Sequence, residues 1–412
     1  MGREVLRRGF LMKVAVVGIG RVGLPLALFF ASKGIYTYGL DVDARKVDML
    51  REGRMPFNEK GAQEVLAKVN GKSFKATMDF SKVAETDYVV LTIGTPVDEH
   101  MNPDYSQLEA ALSSLKQHFK KGQTLILRST VSPGSTEYLK TFIEEKTGFK
   151  VGKDFYLVFC PERIAEGKAM EELETLPEIV GSLDEASGKK AEELFKGMGK
   201  EVYRTSAINA ELLKLFTNMY RYINFAVGNE FLVIAEEWNA NIHEIVALSN
   251  KNYPRGGPKI PGFTAGPCLF KDGFFLTSTI PFSDLISTAW KTNENLPGYL
   301  INKAKRIKPL KGAKSVVLGM AFKANSDDDR LSLSHKIKKI LKRESANVVT
   351  HDVFRDGENF EEAIRDAEFL VMATPHNQYK KPLEYYKKFV KPGCVIIDVW
   401  NVFGKDTVIF RC

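Results

Sequence analysis

The sequence predicts an α/β protein: two doubly wound, Rossmann-like parallel sheets joined by a central helical region that contains one long helix. Three observations carry this reading. Short apolar runs alternate with amphipathic stretches from Lys13 to about Phe159, the same rhythm restarts at Ala313, and between them residues 209–239 form the longest uninterrupted helical pattern. Such β-α-β alternation builds parallel sheets, because a strand returns parallel to its neighbour only through a crossover, usually a helix.

Lys13-Val-Ala-Val-Val17 is the first strand, followed by a helix over 22–33 and a second strand, Tyr36-Thr-Tyr-Gly-Leu40. Strands over 87–92 and 124–128 follow at wider spacing, and 155–159 is the last strand expected in this sheet. The long helix carries Leu212, Leu215, Phe216, Met219, Ile223, Ala226, Phe231 and Ile234 on apolar faces and contains no proline. At about 1.5 Å per residue it spans about 45 Å, more than one small domain needs, so it is expected to bridge domains and offer a face to a second subunit. Helical pattern continues to about 250 and resumes over 281–306. Four strands over 315–318, 347–350, 369–373 and 395–398, with a helix over 334–342, give the second, smaller parallel sheet. The expected division is an extension at 1–12, a cofactor domain at 13–205, a central helical region at 206–308 and a second Rossmann-like domain at 309–412.

Composition bounds the function classes. The 412 residues suffice for two or three domains, and 44% hydrophobic with 27% charged residues is the balance of a soluble globular protein. Cys160, Cys268, Cys394 and Cys412 are widely spaced with no C-x-x-C pair, so neither a disulfide framework nor a metal site is expected, and a reducing cytoplasm is the expected compartment. Residues 1–11 read as a disordered extension rather than a signal peptide, with Met12 as the expected start. No stretch approaches the roughly 18 apolar residues of a membrane span, so no membrane partner is expected. The net charge of +8 could suggest nucleic acid. Lys and Arg are nevertheless interleaved with Asp and Glu over 192–200, although 336–343 has no acid, and a solvated mixed-charge surface with no nucleic-acid partner is the better reading. A phosphate-bearing substrate would account for part of the excess.

Gly18-Ile-Gly20-Arg21-Val22-Gly23 directly follows the first strand and opens a helix, the context a dinucleotide fingerprint requires. The glycines permit a tight turn, close backbone approach to a pyrophosphate and close packing of helix on strand, and the helix N-terminus favours the phosphate charge. Asp41 closes the second strand, where a carboxylate accepts from the ribose hydroxyls and repels a 2′-phosphate, which selects NAD; Arg45 and Lys46 stand nearby as cations that a 2′-phosphate would use.

Lys214 and Asn218 lie four residues apart on the long helix and project from one face, where a cation and an amide could stabilise an oxyanion. Cys160-Pro-Glu162-Arg163 follows a strand of the first sheet, and strand C-termini are where such sheets bind ligands; Glu162 there could position a hydrolytic water or cap a helix. Cys268, in Pro261-Gly-Phe-Thr-Ala-Gly-Pro-Cys268-Leu-Phe-Lys-Asp272, could be a nucleophile aided by Lys271 or Lys214, or an inert thiol.

Together with Thr95-Pro96, Ser129-Thr130-Val131 and Gly319-Met-Ala-Phe-Lys323 through Arg330, these segments occur in an order and spacing that resembles the UDP-sugar 6-dehydrogenases over nearly all of 13–401. The resemblance implies oxidation of C6 of a UDP-hexose twice, with two NAD molecules in turn, through a thiohemiacetal and thioester on Cys268. It implies Lys214 and Asn218 at the oxyanion, Asp272 ordering water or moving protons, Glu162 serving thioester hydrolysis and Thr130 holding a catalytic water. Gly18, Gly20, Arg21, Val22, Gly23, Asp41, Lys46, Thr95 and Thr130 would hold NAD. Glu162, Arg163, Glu166, Lys214, Asn218, Phe263, Gly266, Phe270, Lys271, Lys323 and Arg330 would hold the UDP-sugar, with Arg255 reaching it across a subunit interface. A homodimer or higher homo-oligomer is implied.

The chain departs from the family where many relatives read G-x-G-x-G-G-x-C: Pro261, Phe263 and Ala265 replace three glycines and Gly266 remains. The Cys-Pro-Glu-Arg form with Arg163 resembles the branch acting on UDP-N-acetylhexosamines, and UDP-N-acetylmannosamine is the expected substrate. Lys271-Asp272 is also familiar from the UDP-glucose branch, which stays open as the alternative, with UDP-N-acetylglucosamine. A β-hydroxyacid dehydrogenase would need neither Cys268 nor a second sheet, and a catalytically dead nucleotide-sugar sensor would not need every candidate position filled.

Overall fold

The computed structural model describes residues 12–100, 102–277 and 283–412. The expected N-terminal extension, apart from Met12, and the start of the helix expected at 281 lie outside the described residues. The described residues of Met1–Phe216 and Phe274–Thr279 form one compact unit, and those of Thr217–Gly273 and Ile280–Cys412 form a second.

In the first unit the strands are β1 (Lys13–Val17), β2 (Tyr36–Leu40), β3 (Phe74–Thr77), β4 (Tyr88–Leu91), β5 (Thr124–Leu127), β6 (Tyr156–Phe159), β7 (Glu178–Ser182) and β8 (Val202–Ser206). They form one sheet in the order β3-β2-β1-β4-β5-β6-β7-β8. Around it run α1 (Gly23–Ser32), α2 (Ala44–Arg51), α3 (Ala62–Val69), α4 (Ser106–Leu115), α5 (Ser135–Thr147), α6 (Ala169–Thr175) and α7 (Glu185–Gly197). The expected strands appear within a residue at each end. Three strands, β3, β7 and β8, were not expected, and the sheet is not wholly parallel, since β6 and β7 pair antiparallel. For β8 the reason is local. β8, with sequence VYRTS at the sheet edge, leaves Tyr203, Arg204 and Ser206 exposed or half exposed and so lacks the apolar run that marks a doubly covered strand.

Two apolar layers cover the faces of this sheet. One gathers Val14, Val16, Leu24, Leu28, Phe30 and Phe195; the other gathers Ala15, Val17, Leu91, Leu112, Leu127 and Phe159. Alternate β1 residues thus enter opposite layers, as the two-residue period of a strand dictates. Each fully buried Leu or Phe contributes about 2 kcal/mol of transfer free energy. Strand order reverses between β1 and β4, which places a crevice at the carboxyl ends of these strands, where ligands of open α/β sheets bind.

The long helix is α8 (Ala207–Glu237), displaced by two residues from its expected span; the boundary between the units falls within it, after Phe216. The chain continues through α9 (Ile242–Asn250), α10 (Pro267–Thr277) and α11 (Asp284–Ile307). In the second unit β9 (Lys314–Leu318), β10 (Asn347–His351), β11 (Phe369–Met372), β12 (Val395–Ile397) and β13 (Ile409–Arg411) form a sheet ordered β10-β9-β11-β12-β13, with α12 (Leu333–Arg343) against it. The fifth strand, β13, corrects the expected four, and it pairs antiparallel with β12. No helix among the described residues is long and apolar enough to cross a membrane.

Candidate active site

At the switch point of the first sheet the backbone is shaped for a dinucleotide. Gly18 follows β1 with φ +91°, a left-handed conformation that a side chain would strain. A Cβ on Gly23 would stand 2.1 Å from Gly18 O, so α1 can pack this closely on the turn only with glycine there. A Cβ on Gly20 would meet nothing within 4 Å, leaving its backbone open to a phosphate. Val22 is the residue before α1, and its neighbour Arg21 pairs with Glu166 at 2.7 Å while its guanidinium lies over the Phe57 ring. The residue expected at the cofactor and the acid expected at the substrate are thereby brought together.

Asp41 follows β2 and is buried; its Oδ1 accepts from the Asp43 N–H at 3.0 Å and its Oδ2 from Lys46 Nζ at 2.7 Å. A cavity of about 520 Å³ beside it is lined by Val17, Gly18, Leu40, Val42, Phe80, Ile93, Ala110 and Ala111, a mostly apolar slot suited to a flat base next to a carboxylate suited to a ribose. The residues present therefore fit the adenosine half and pyrophosphate of a dinucleotide. Thr95 and Thr130, from the ends of β4 and β5, meet through a hydrogen bond from Thr95 Oγ1 to Thr130 O at 2.5 Å.

Glu162 follows β6 and is buried with Arg128, whose Nε donates to Glu162 Oε2 at 2.9 Å and whose Nη1 donates to Glu178 Oε1 at 2.6 Å. Burial pushes the Glu162 carboxyl up, but the Arg128 charge and the N–H groups of Ile164 and Arg163 outweigh it and hold it below the usual carboxylate range. Glu178 goes the other way: burial dominates, Arg128 offsets only part, and the Glu162 charge adds to the rise. Glu162 is thus kept ionised and oriented, suited to accepting from a water rather than to capturing its proton for long. Arg163 donates to Pro177 O, fixing the turn after it. Cys160 is fully buried, and burial, reinforced by Glu178, raises its thiol well above its ordinary range, which disfavours it as a nucleophile.

Sequence reasoning missed Arg128 and Glu178, whose pairing joins residues 34 and 50 positions apart. It also missed Glu211, a buried acid on α8 that accepts from Gly134 N, Thr136 N and Thr136 Oγ1 at the start of α5. Glu211 precedes Lys214 by three residues, and that spacing on one helix face was available to find it. Lys214 itself is half-buried.

In the second unit Cys268 is exposed in the first turn of α10, where the helix N-terminus favours negative charge on a thiolate or an adjoining oxyanion. One turn later Asp272 is fully buried and accepts from Asn218 Nδ2 at 2.6 Å, so the amide expected at the oxyanion is engaged with the acid. A Cβ on Gly273 would lie 2.9 Å from Ile286 and 3.0 Å from Met219, which shows how closely α10 packs on α8 and α11. Gly266 has φ +108° and abuts the Phe322 ring, and Gly262 abuts Trp400, where a Cβ would stand 2.3 Å from the indole. Phe263, expected at the substrate, is buried edge-on against the same Trp400. Lys271 is half-buried, and the side chain of Phe270 lies outside the described residues. Arg255 is exposed, its Nε donating to the Tyr253 hydroxyl.

Lys323 and Arg330 lie on the loop that follows β9, at the switch point between β9 and β11. Arg330 is held by Asp328 through its Nε at 2.9 and 3.1 Å and its Nη2 at 2.6 Å, and the Asp328 carbonyl accepts from Phe322 N.

Comparison with known proteins gives three consecutive matches to the UDP-glucose/GDP-mannose dehydrogenase family: its NAD binding domain at residues 12–199, its central domain at 208–295 and its UDP binding domain at 316–405. A UDP-N-acetyl-D-mannosamine dehydrogenase of Pyrococcus horikoshii is 31% identical over 97% of this chain and 98% of its own length. The solved structure of a UDP-D-ManNAc dehydrogenase from Pyrococcus horikoshii is similar with a TM-score of 0.90 at 30% identity, covering 96% of this chain and 97% of that one. A UDP-glucose dehydrogenase from Pyrobaculum islandicum is similar with a TM-score of 0.85 at 25% identity, over 95% of each chain.

Proposed function

We propose, from the premise that this chain belongs to the UDP-glucose/GDP-mannose dehydrogenase family and is an NAD-dependent UDP-sugar dehydrogenase, that it oxidises C6 of UDP-N-acetylmannosamine to the uronate. The observation that carries the chemistry is the exposed Cys268 thiol in the first turn of α10, one turn from the buried Asp272–Asn218 pair. The turn at Gly18, Gly20 and Gly23, with Asp41 and Lys46 on the ribose side, would hold NAD, which would supply the hydride acceptor for C6 in each of two rounds. Cys268 Sγ bonds to the aldehyde carbon left by the first oxidation, and the second oxidation converts that thiohemiacetal to a thioester. Water then adds at the carbonyl, the S–C bond breaks, and carboxylate and thiol are released. Lys214 offers its charge to the oxygen that becomes negative at each addition. Glu162, kept ionised by Arg128, accepts a hydrogen bond from the attacking water, with Thr130 as a second partner for it. Asp272, held by Asn218, serves as the proton acceptor on the thiol's side.

The substrate assignment is supported by the mannosamine-type relative at 31% identity and by Arg163 in the Cys-Pro-Glu-Arg turn. UDP-glucose is the second reading, supported by the Pyrobaculum structure. Initial rates with NAD and each of UDP-N-acetylmannosamine, UDP-N-acetylglucosamine and UDP-glucose test it. The highest kcat/KM belongs to UDP-N-acetylmannosamine, and a higher value for UDP-glucose reverses the assignment.

The division of labour proposed is NAD binding by 13–205, catalysis and subunit pairing by 206–308 and UDP binding by 309–412, with Lys323 and Arg330 at the UDP. A homodimer through α8 is supported by an exposed apolar stripe on that helix, Phe216, Tyr220, Val227, Phe231 and Ile234, with Trp238, 81% exposed, just past its end. Their spacing of three, four or seven residues keeps them on one face. Arg255 then reaches the partner's sugar. The cytoplasm is the compartment proposed, in keeping with four cysteines of which none forms a disulfide.

A further inference from the structure

The second sheet carries a buried pair that the reaction does not use. His376, fully buried just after β11, and Asp352, buried just after β10, meet at 3.2 Å between Nε2 and Oδ2. The same Asp352 oxygen accepts from Met320 N at 2.6 Å and Ala321 N at 3.1 Å, the first residues of the loop 319–332. On its other side the imidazole accepts, at Nδ1, the Asn325 N–H at 2.9 Å. A neutral imidazole has one donor and one acceptor; with Nδ1 accepting, the hydrogen sits on Nε2 and points at Asp352. One side chain therefore ties both the root of the loop, through the carboxylate, and its turn at Asn325. The turn is exposed at Asn325, whose φ of +60° is a left-handed conformation that asparagine adopts more readily than other side-chain-bearing residues. Asn377 N donates to Asn325 Oδ1 at 3.0 Å, a second hold from the segment after His376. Lys323 precedes the turn by two residues and Arg330 follows it by five.

We infer that His376 is a positioning residue for the nucleotide, acting through its Nδ1 on the Asn325 turn so that loop 319–332 presents Lys323 and Arg330 in one arrangement. This rests on the reading that those two residues contact the UDP portion, and the experiment separates the two. UDP binding to the full-length enzyme is measured by calorimetry for His376→Ala, His376→Asn, His376→Gln and Lys323→Ala, with KM for UDP-sugar and for NAD and a melting temperature for each. Asparagine places an amide oxygen near the position of Nδ1 and can accept the Asn325 N–H, whereas glutamine reaches only the Nε2 position. Losing a hydrogen bond to a buried acceptor weakens UDP binding about tenfold in His376→Ala and His376→Gln. Those two variants raise KM for UDP-sugar more than they lower kcat and leave KM for NAD unchanged, and His376→Asn recovers UDP affinity to within about threefold of the parent. A merely structural role would move melting temperature in all three without this ordering. Unchanged UDP affinity in His376→Ala and His376→Gln beside a weakened Lys323→Ala overturns the role of His376, as does a His376→Asn variant as weak as His376→Gln. Unchanged affinity in all four overturns the nucleotide reading of the loop and this inference with it.

Discussion

The two thiols Cys160 and Cys268 show how environment assigns chemistry to identical side chains. Cys160 sits behind Arg128, Glu162 and Glu178 with no exposed surface, and burial keeps its sulfur protonated; Cys268 is exposed at a helix start. Cys268→Ala should abolish uronate formation, a loss of at least about a thousandfold, while Cys160→Ala retains it; product analysis by mass spectrometry checks both. Uronate from Cys268→Ala would show the nucleophile to be misassigned. The candidate nucleophile and acid were legible because they stand in one short segment. Arg128 was not, although it directly precedes Ser129: its importance lies in Glu162 and Glu178, which only the strand order β5-β6-β7 brings to it.

Elements with a strong period were readable and those without were not. β1 and β9 are largely apolar runs each followed directly by a glycine, and both lie within a residue of where they are expected, whereas the edge strands β8 and β13 alternate too little to announce themselves. The turn between β1 and α1 makes the sharpest prediction at this scale. In Gly23→Ala the new methyl would stand 2.1 Å from Gly18 O, so turn and helix must part. NAD affinity should fall by about tenfold or more, while UDP affinity, which belongs to the other sheet, stays within about twofold. Calorimetric titration with each ligand reads this directly, and equal losses for both would mean general unfolding rather than a damaged cofactor turn. The loop before Cys268 taught the reverse lesson. Only Gly266 was singled out there from sequence, yet Gly262 is equally constrained, by Trp400, a residue 138 positions away in the chain.

For the whole molecule, the exposed apolar stripe of α8 bears on the proposed assembly, and the half-buried His243 and buried His351 bear on acid stability. Ile234→Lys with Phe231→Lys places two charges on the exposed stripe, and light scattering should show a shift from dimer to monomer; an unchanged mass would locate the interface elsewhere. His243 and His351 are both held below the ordinary value of 6.5 by burial. Depressed values mean that the unfolded chain binds more protons, so stability is complete above about pH 6.5 and falls as pH drops toward the lower folded values. Chemical denaturation at pH 7.5 and 5.5 should show that loss, and His351→Gln should make it shallower. The proposed mechanism turns on a four-electron oxidation through a thioester on Cys268. Its most direct test is the amount of NADH formed per UDP-sugar consumed at completion, read by absorbance with the sugar limiting. Two equivalents and a uronate are expected; one equivalent with an aldehyde product excludes the thioester route.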